Sequence, residues 1–344
     1  MNPTKLNVFW RRLNYGVVVL LLYWVAYLLV IQPDFFPPNF AVRATLPGQQ
    51  IWRQGVSSFL FGTNDTYEWS RPNIETQSAI QDALRYAGFT LIRSFFPDNA
   101  SDATIEQRWQ VIENSGAYCL GVITNIFNVS FDEHLVRYLG NRCQMYEFGN
   151  ESDYSGISIE TYLKQWNEII PLLRQINPQA KFIGPVTYND QGKHDFMREF
   201  LVGVEASGVL PDAVSFHWYA CYQDAEDACL SKTSSYGQVA IEVRRLVQAI
   251  LGKDLPVGIT EWNYDPGNPP PAYGDQADFI TQFSTDALRS MAEAGVSFAC
   301  QFDAASYAGY GHLDMFNVKD NQPKPQYYAI KALIQEYRPS TTTS

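Results

Sequence analysis

From Ser57 onward, short apolar runs alternate with amphipathic stretches. The runs are SSFLFGT, FTLIRSF, AYCLGVIT, CQMYEFG, KFIGPV, AVSFHWY, PVGITEW and VSFACQF. Each is brief, apolar almost throughout and bounded by turn residues, the pattern of strands covered on both faces. Between them the period changes to that of a helix. Ile80, Ala83, Leu84 and Ala87 share one face, with Gly88 as the stop. Tyr162, Trp166, Ile169 and Leu173 repeat the stripe, as do Val243, Leu246, Val247 and Ile250, and Ile280, Phe283, Ala287 and Met291. Strand candidates separated by helices in this rhythm predict an α/β fold, a (β/α)8 TIM barrel over residues 51–338. A doubly wound open sheet is the alternative. It calls for a Gly-rich phosphate turn after an early strand, whereas the first run ends in Gly62-Thr63-Asn64-Asp65.

The N-terminal stretch reads differently. Residues 1–14 carry Lys5, Arg11 and Arg12, and an apolar run from Tyr15 to Ile31 follows, closed by Gln32-Pro33-Asp34. About 17 residues at helical rise nearly cross a hydrocarbon core. The basic flank predicts a cytoplasmic N-terminus, a single transmembrane helix over 15–31 and an extracytoplasmic domain. A cleaved signal peptide, with Val42-Arg43-Ala44 as a distant processing site, is the competing reading. Residues 32–50 read as a Pro- and Phe-rich linker, and 339–344 as a frayed, disordered tail.

Composition narrows the choice of function. Hydrophobic residues make up 46% and charged residues 18%, enough apolar content for a large core. The net charge of −11 excludes the basic footprint that nucleic acid requires. The expected partners are a carbohydrate and, through the N-terminal helix, a lipid membrane; protein partners are not indicated. Of five cysteines, Cys221 and Cys229 lie in one polar segment and are candidates for a disulfide. Cys119, Cys143 and Cys300 fall in apolar runs and read as buried small hydrophobes. The four histidines, His134, His194, His217 and His312, lack clustered metal-ligand spacing, so neither a metal nor a cofactor is expected.

In a barrel the chemistry sits where the strands end. Polar residues close several runs: Arg93 on the second, Thr124-Asn125 on the third, Gly149-Asn150-Glu151 on the fourth, His217-Trp218-Tyr219 on the sixth, Thr260-Glu261-Trp262 on the seventh and Gln301-Phe302-Asp303 on the eighth. Two of these ends carry a glutamate directly after an apolar strand. Two carboxylates facing one pocket are what glycosidic cleavage needs, one protonated to release the leaving oxygen and one ionised. Asp303 is either a third carboxylate or a loop cap.

The motifs Tyr146-Glu147-Phe148-Gly149-Asn150-Glu151 and Ile259-Thr260-Glu261-Trp262, with His217, Tyr219 and Arg93, resemble those of clan A glycoside hydrolases, nearest to the β-xylosidase-like family 39. The resemblance runs from the first strand to the eighth. It implies a retaining hydrolase working by double displacement, with Glu151 as acid/base and Glu261 as nucleophile, and with Asn150 placed to donate to the sugar 2-hydroxyl. An ionised Glu261 is expected to be held by Arg93, His217 and Tyr219, and its charge to keep Glu151 protonated. Where the clan often carries a tryptophan at the end of the last strand, this chain offers Phe302 or Tyr307 as the floor under the sugar. Trp262 and Asn125 complete the expected substrate contacts. Trp69, Trp218, Trp262, Tyr264, Tyr273, Tyr307 and Tyr310 are further aromatics, of which at least two are expected to line a groove. The competing functions are a membrane-anchored carbohydrate-binding pseudoenzyme, a lyase, or a transglycosylase in exopolysaccharide export.

Overall fold

The computed structural model describes residues 45–66, 74–188, 195–305, 311–317 and 319–340. All of them belong to one compact unit, Ala44–Ser344. The basic segment, the 15–31 apolar run, the Val42-Arg43-Ala44 site, and Trp69, Tyr307 and Tyr310 lie outside the described residues. No helix among the described residues is long and apolar enough to cross a membrane.

Eight parallel strands close on themselves in sequence order. They are β1 (Gly62–Asp65), β2 (Leu91–Phe96), β3 (Tyr118–Ile123), β4 (Met145–Phe148), β5 (Lys181–Thr187), β6 (Ala213–Tyr219), β7 (Val257–Asn263) and β8 (Phe298–Gln301). Each apolar run of the sequence holds one of them. The first run splits: its opening residues Ser58–Leu60 form a 3-10 turn, and only its end enters the sheet. The open-sheet alternative is thereby excluded.

Helices cover the outside, each strand leading to the next through at least one. Their ends follow local chemistry. Ser101 caps helix Asp102–Ser115 by accepting from the Thr104 amide at 3.2 Å, and Gly116 ends it at φ 68°. Ser158 does the same for Ile159–Ile176 through the Thr161 amide at 3.3 Å. The stripe of Tyr162, Trp166, Ile169 and Leu173 is fully buried against the strands. Each such side chain contributes roughly 1.5–3 kcal/mol by leaving water.

Because side chains alternate along a strand, every strand divides between two cores. The outward residues meet the helices. The inward ones fill the barrel in layers. Leu91, Leu120, Met145, Ile183, Ala213, Phe298 and Cys300 form an apolar lower layer, sealed by Phe59 and Leu46. Leu46 lies in the segment expected as linker, so the seal begins before residue 51. Gly258 leaves β7 without a side chain here because the Phe298 ring fills the space, 2.2 Å from where a Cβ would stand. Above this layer the interior turns polar.

Two disulfides stabilise the rim and wall. Cys221 pairs with Cys229, with Cα atoms 5.3 Å apart. Cys119 pairs with Cys143, with Cα atoms 5.1 Å apart. The second pair corrects the expectation of two inert hydrophobes: β3 and β4 are neighbours, and their lower ends bring the two sulfurs together. Cys300 is free and buried.

Candidate active site

Arg93 lies midway along β2, deeper than a strand-closing position, and its side chain is wholly buried. Its guanidinium holds the interior together. Nε donates to Glu147 Oε2 at 2.5 Å, Nη1 to Glu261 Oε1 at 2.7 Å and Asn64 Oδ1 at 2.9 Å, and Nη2 to Asn150 Oδ1 at 2.6 Å. Arg93 thus pairs at once with Glu147 inside the barrel and with Glu261 at the cleft. Glu147 also accepts from Ser215 Oγ at 2.6 Å. The two carboxylates hold the guanidinium in its charged form more firmly than burial opposes it. Asn150, its side-chain carbonyl oxygen bound to Arg93, lines the cleft.

Both glutamates stand beside irregularities of the sheet. After β4 the chain reverses through Gly149 at φ 87° and Glu151 at φ 48°, a left-handed conformation that suits Gly149 and is uncommon for a glutamate. The Glu151 amide donates to the Val186 carbonyl at 3.0 Å. Val186 is itself at φ 56°, an outlier for a β-branched residue, and it is the extra residue of a bulge in β5, where Pro185 and Thr187 face the consecutive Ser215 and Phe216.

A second bulge lies in β7. Ile259 faces Phe216 and Glu261 faces His217, so Thr260 is supernumerary; on the other side Ile259 and Trp262 face Ala299 and Gln301. Simple alternation would put Glu261 on the same face as Ile259, among the helices. The bulge turns it into the barrel and leaves Trp262 outside.

Glu261 accepts from the Tyr219 hydroxyl at 3.0 Å as well as from Arg93. His217 Nδ1 bonds Glu151 Oε1 at 2.6 Å and is 3.6 Å from Glu261 Oε2. The imidazole therefore serves Glu151 first, not Glu261 as expected. Burial pushes His217 down to about 4, so the ring is neutral near pH 7. Glu151 is pushed up to about 7, chiefly by burial; Arg93 opposes the shift and Asp153 adds to it. The expected cause, the charge of Glu261, is not among the leading ones.

One ligand atom each from Glu151, His217 and Glu261 lies within 4.8 Å of the others. Spatially, then, one histidine does join carboxylates in a group able to hold a metal ion. The Arg93 guanidinium against Glu261 already supplies positive charge there.

The glutamates open onto a cleft of about 500 Å³ lined by Asn150, Glu151, Tyr219, Glu261, Phe302, Pro266, Gly267 and three tyrosines, Tyr154, Tyr188 and Tyr222. Phe302 packs edge-on against Tyr219, ring centroids 6.3 Å apart.

Several expected contacts do not reach this cleft. Trp262 packs outward, edge-on to Tyr236 at 6.2 Å, because it follows Glu261 on the strand. Asn125 is bound to Asp98 Oδ2 at 2.9 Å and orders its own loop. Trp218 donates to Ser235 Oγ at 2.9 Å, and Tyr264 and Tyr273 are core residues. Asp303 is buried, accepting from Thr66 Oγ1 at 2.9 Å; burial and Asp314 raise its carboxyl well above the usual range. It is not among the residues that line the cleft.

Tyr154, Tyr188 and Tyr222, which lie just beyond strands, carry no distinct signal in the sequence. Glu147 is a polar residue inside an apolar run, and Asn64 directly follows one.

No protein-family profile and no curated protein sequence matches this chain. Solved structures do share its fold. A glucosidase from Croceicoccus marinus superposes with a TM-score of 0.64 at 18% identity, over 80% of this chain and 67% of that one. A Penicillium canescens endo-1,4-β-xylanase gives 0.55 at 19%, covering 82% and 95%. A family 5 xyloglucan-specific endo-β-1,4-glucanase from a metagenomic library, solved with cellotriose, gives 0.55 at 14%, covering 80% and 96%. The chain thus has the (β/α)8 barrel on which those glycoside-cleaving proteins are built.

Proposed function

We propose that this protein is a retaining glycoside hydrolase that cleaves O-glycosidic bonds of an oligo- or polysaccharide by double displacement. The observation that carries the proposal is the pair of glutamates in one cleft, oxygens within 4.8 Å, in unlike surroundings. Retention calls for carboxyl groups about 5–5.5 Å apart, and inversion for a gap of roughly 6.5–9.5 Å that admits a water. The short approach supports the first. The fold shared with a glucosidase, a xylanase and an endoglucanase agrees with it.

Glu261, facing the guanidinium and the Tyr219 hydroxyl, is the nucleophile. Glu151, whose burial keeps a proton up to about pH 7, is the acid. As Glu261 attacks the anomeric carbon, the proton of Glu151 passes to the departing oxygen. Glu151 is then ionised and takes a proton from the water that resolves the ester. Asn150 donates to the sugar 2-hydroxyl, and Phe302 serves as the apolar floor.

Replacing either glutamate by glutamine, assayed on a panel of 2,4-dinitrophenyl glycosides, tests the roles. Glu261→Gln is expected to lose at least about 10³-fold in kcat, and Glu151→Gln less on this leaving group, which departs without a proton. A 2-deoxy-2-fluoro glycoside should label Glu261; a label elsewhere would reassign the nucleophile. The paired carboxylates argue against a pseudoenzyme, which has no use for them.

The proposal extends to residues 15–31, which would anchor the domain outside the cytoplasm. The full chain should sediment with membranes and resist alkaline carbonate; recovery in the soluble fraction would refute the anchor.

A further inference from the structure

Three tyrosines stand at the mouth of the cleft on one side. Tyr154 follows Glu151 in the turn after β4, Tyr188 follows β5, and Tyr222 lies just after β6. The Tyr154 and Tyr188 rings are 4.7 Å apart, inclined at 35°, and the Tyr188 and Tyr222 hydroxyls meet at 3.0 Å. Tyr154 is 72% exposed and Tyr222 43%. A contiguous exposed aromatic surface at a cleft marks a binding face more often than a packing one.

This face is also held in place. The Tyr188 amide donates to both oxygens of Asp153, at 3.0 and 3.2 Å. The Tyr222 amide donates to Asp224 at 3.0 Å, and its neighbour Cys221 is bridged to Cys229. Rings fixed before a ligand arrives lose little freedom on binding.

Position assigns the face a role. The sheet runs from β1 to β8 in order around the barrel, and the tyrosines occupy β4 to β6, the arc that carries Glu151. Phe302 and Gly267 stand after β8 and β7, beside Glu261. An acid must face the oxygen that leaves, so groups beyond Glu151 meet the leaving group. The described cleft lining also holds Glu151 and Glu261 but no lysine or arginine. Among these described lining residues a uronate carboxylate would meet the charge of Glu261 and no cation.

Resting on the hydrolase reading above, we infer that Tyr154, Tyr188 and Tyr222 form the leaving-group subsite and accept the apolar face of a neutral pyranose. The bond cut then lies between two sugars, and the same face receives an incoming sugar when one competes with water.

Reactivation of the fluoroglycosyl enzyme tests this. An acceptor hydroxyl bonds to the anomeric carbon, the ester bond to Glu261 breaks, and the hydroxyl proton passes to Glu151. The acceptors are methyl β-glucoside, methyl β-xyloside, methyl β-mannoside and methyl β-glucuronide, each compared with water alone. At least one neutral acceptor should raise the reactivation rate over water, and the glucuronide should not. That ratio should fall about tenfold in Tyr154→Ala and in Tyr222→Ala, equivalent to about 1.4 kcal/mol. Tyr188→Phe retains the ring and should retain the ratio. Because Tyr154 is exposed, its replacement does not threaten folding. Equal ratios in wild type and alanine variants, no neutral acceptor effective, or a glucuronide that works as well would overturn the inference. Failure to trap any glycosyl enzyme would instead bring down the hydrolase reading beneath it.

Discussion

Partial burial, more than the charge of Glu261, favours the protonated form of Glu151. Its side chain is 17% exposed and bonded to a neutral imidazole. The raised value, about 7, sets the direction of the pH response. In the proposed acid role Glu151 would work only when protonated, so kcat/KM should fall as pH rises through about 7, by about tenfold per unit above it. A plot that stays level to pH 9 with a poor leaving group would remove Glu151 from this role. Arg93 shows the other side of burial. It is buried with Glu147 and Glu261, and the arrangement lasts because every nitrogen has an oxygen to meet. The sequence made Arg93 visible as a charge inside an apolar run. It did not show that one guanidinium would serve two carboxylates, because that requires knowing which strands adjoin.

Among the elements, the strands were the most legible, since apolar runs of strand length admit few other readings between helical stretches. Face assignment was less so. Trp262 looked like a cleft residue because it adjoins Glu261, and adjacency on a strand means opposite faces. The Cys119–Cys143 disulfide was hidden for a related reason: the residues are 24 apart in sequence and meet only because β3 and β4 pair. Closing a loop of that length should contribute about 3 kcal/mol through the unfolded chain. Replacing both cysteines by serine is expected to lower the denaturant midpoint accordingly, read by chemical unfolding under non-reducing conditions; an unchanged midpoint would show the bond to be idle.

At the scale of the whole molecule the barrel has two unlike ends. The lower is apolar and sealed by Leu46 and Phe59; the upper is charged and open. The sequence conveyed this polarity, since Glu151 follows its strand and Glu261 lies near the C-terminal end of its own. The aromatic lining was not legible, because loop tyrosines carry no periodicity, and Tyr154 resembles any other exposed tyrosine until Tyr188 is found beside it. The bulge at Thr260 has a wider reach. A strand is read two residues at a time, one in and one out, and a single added residue shifts that frame for everything after it. Were β7 regular with Thr260 kept in the ladder, no side chain would change, yet Glu261 and Trp262 would exchange places, with the carboxylate among the helices and the indole inside the barrel, whereas deleting Thr260 would leave Glu261 facing inward. Chains of this fold are therefore aligned correctly only when the count of residues in β7 is matched as carefully as their identities.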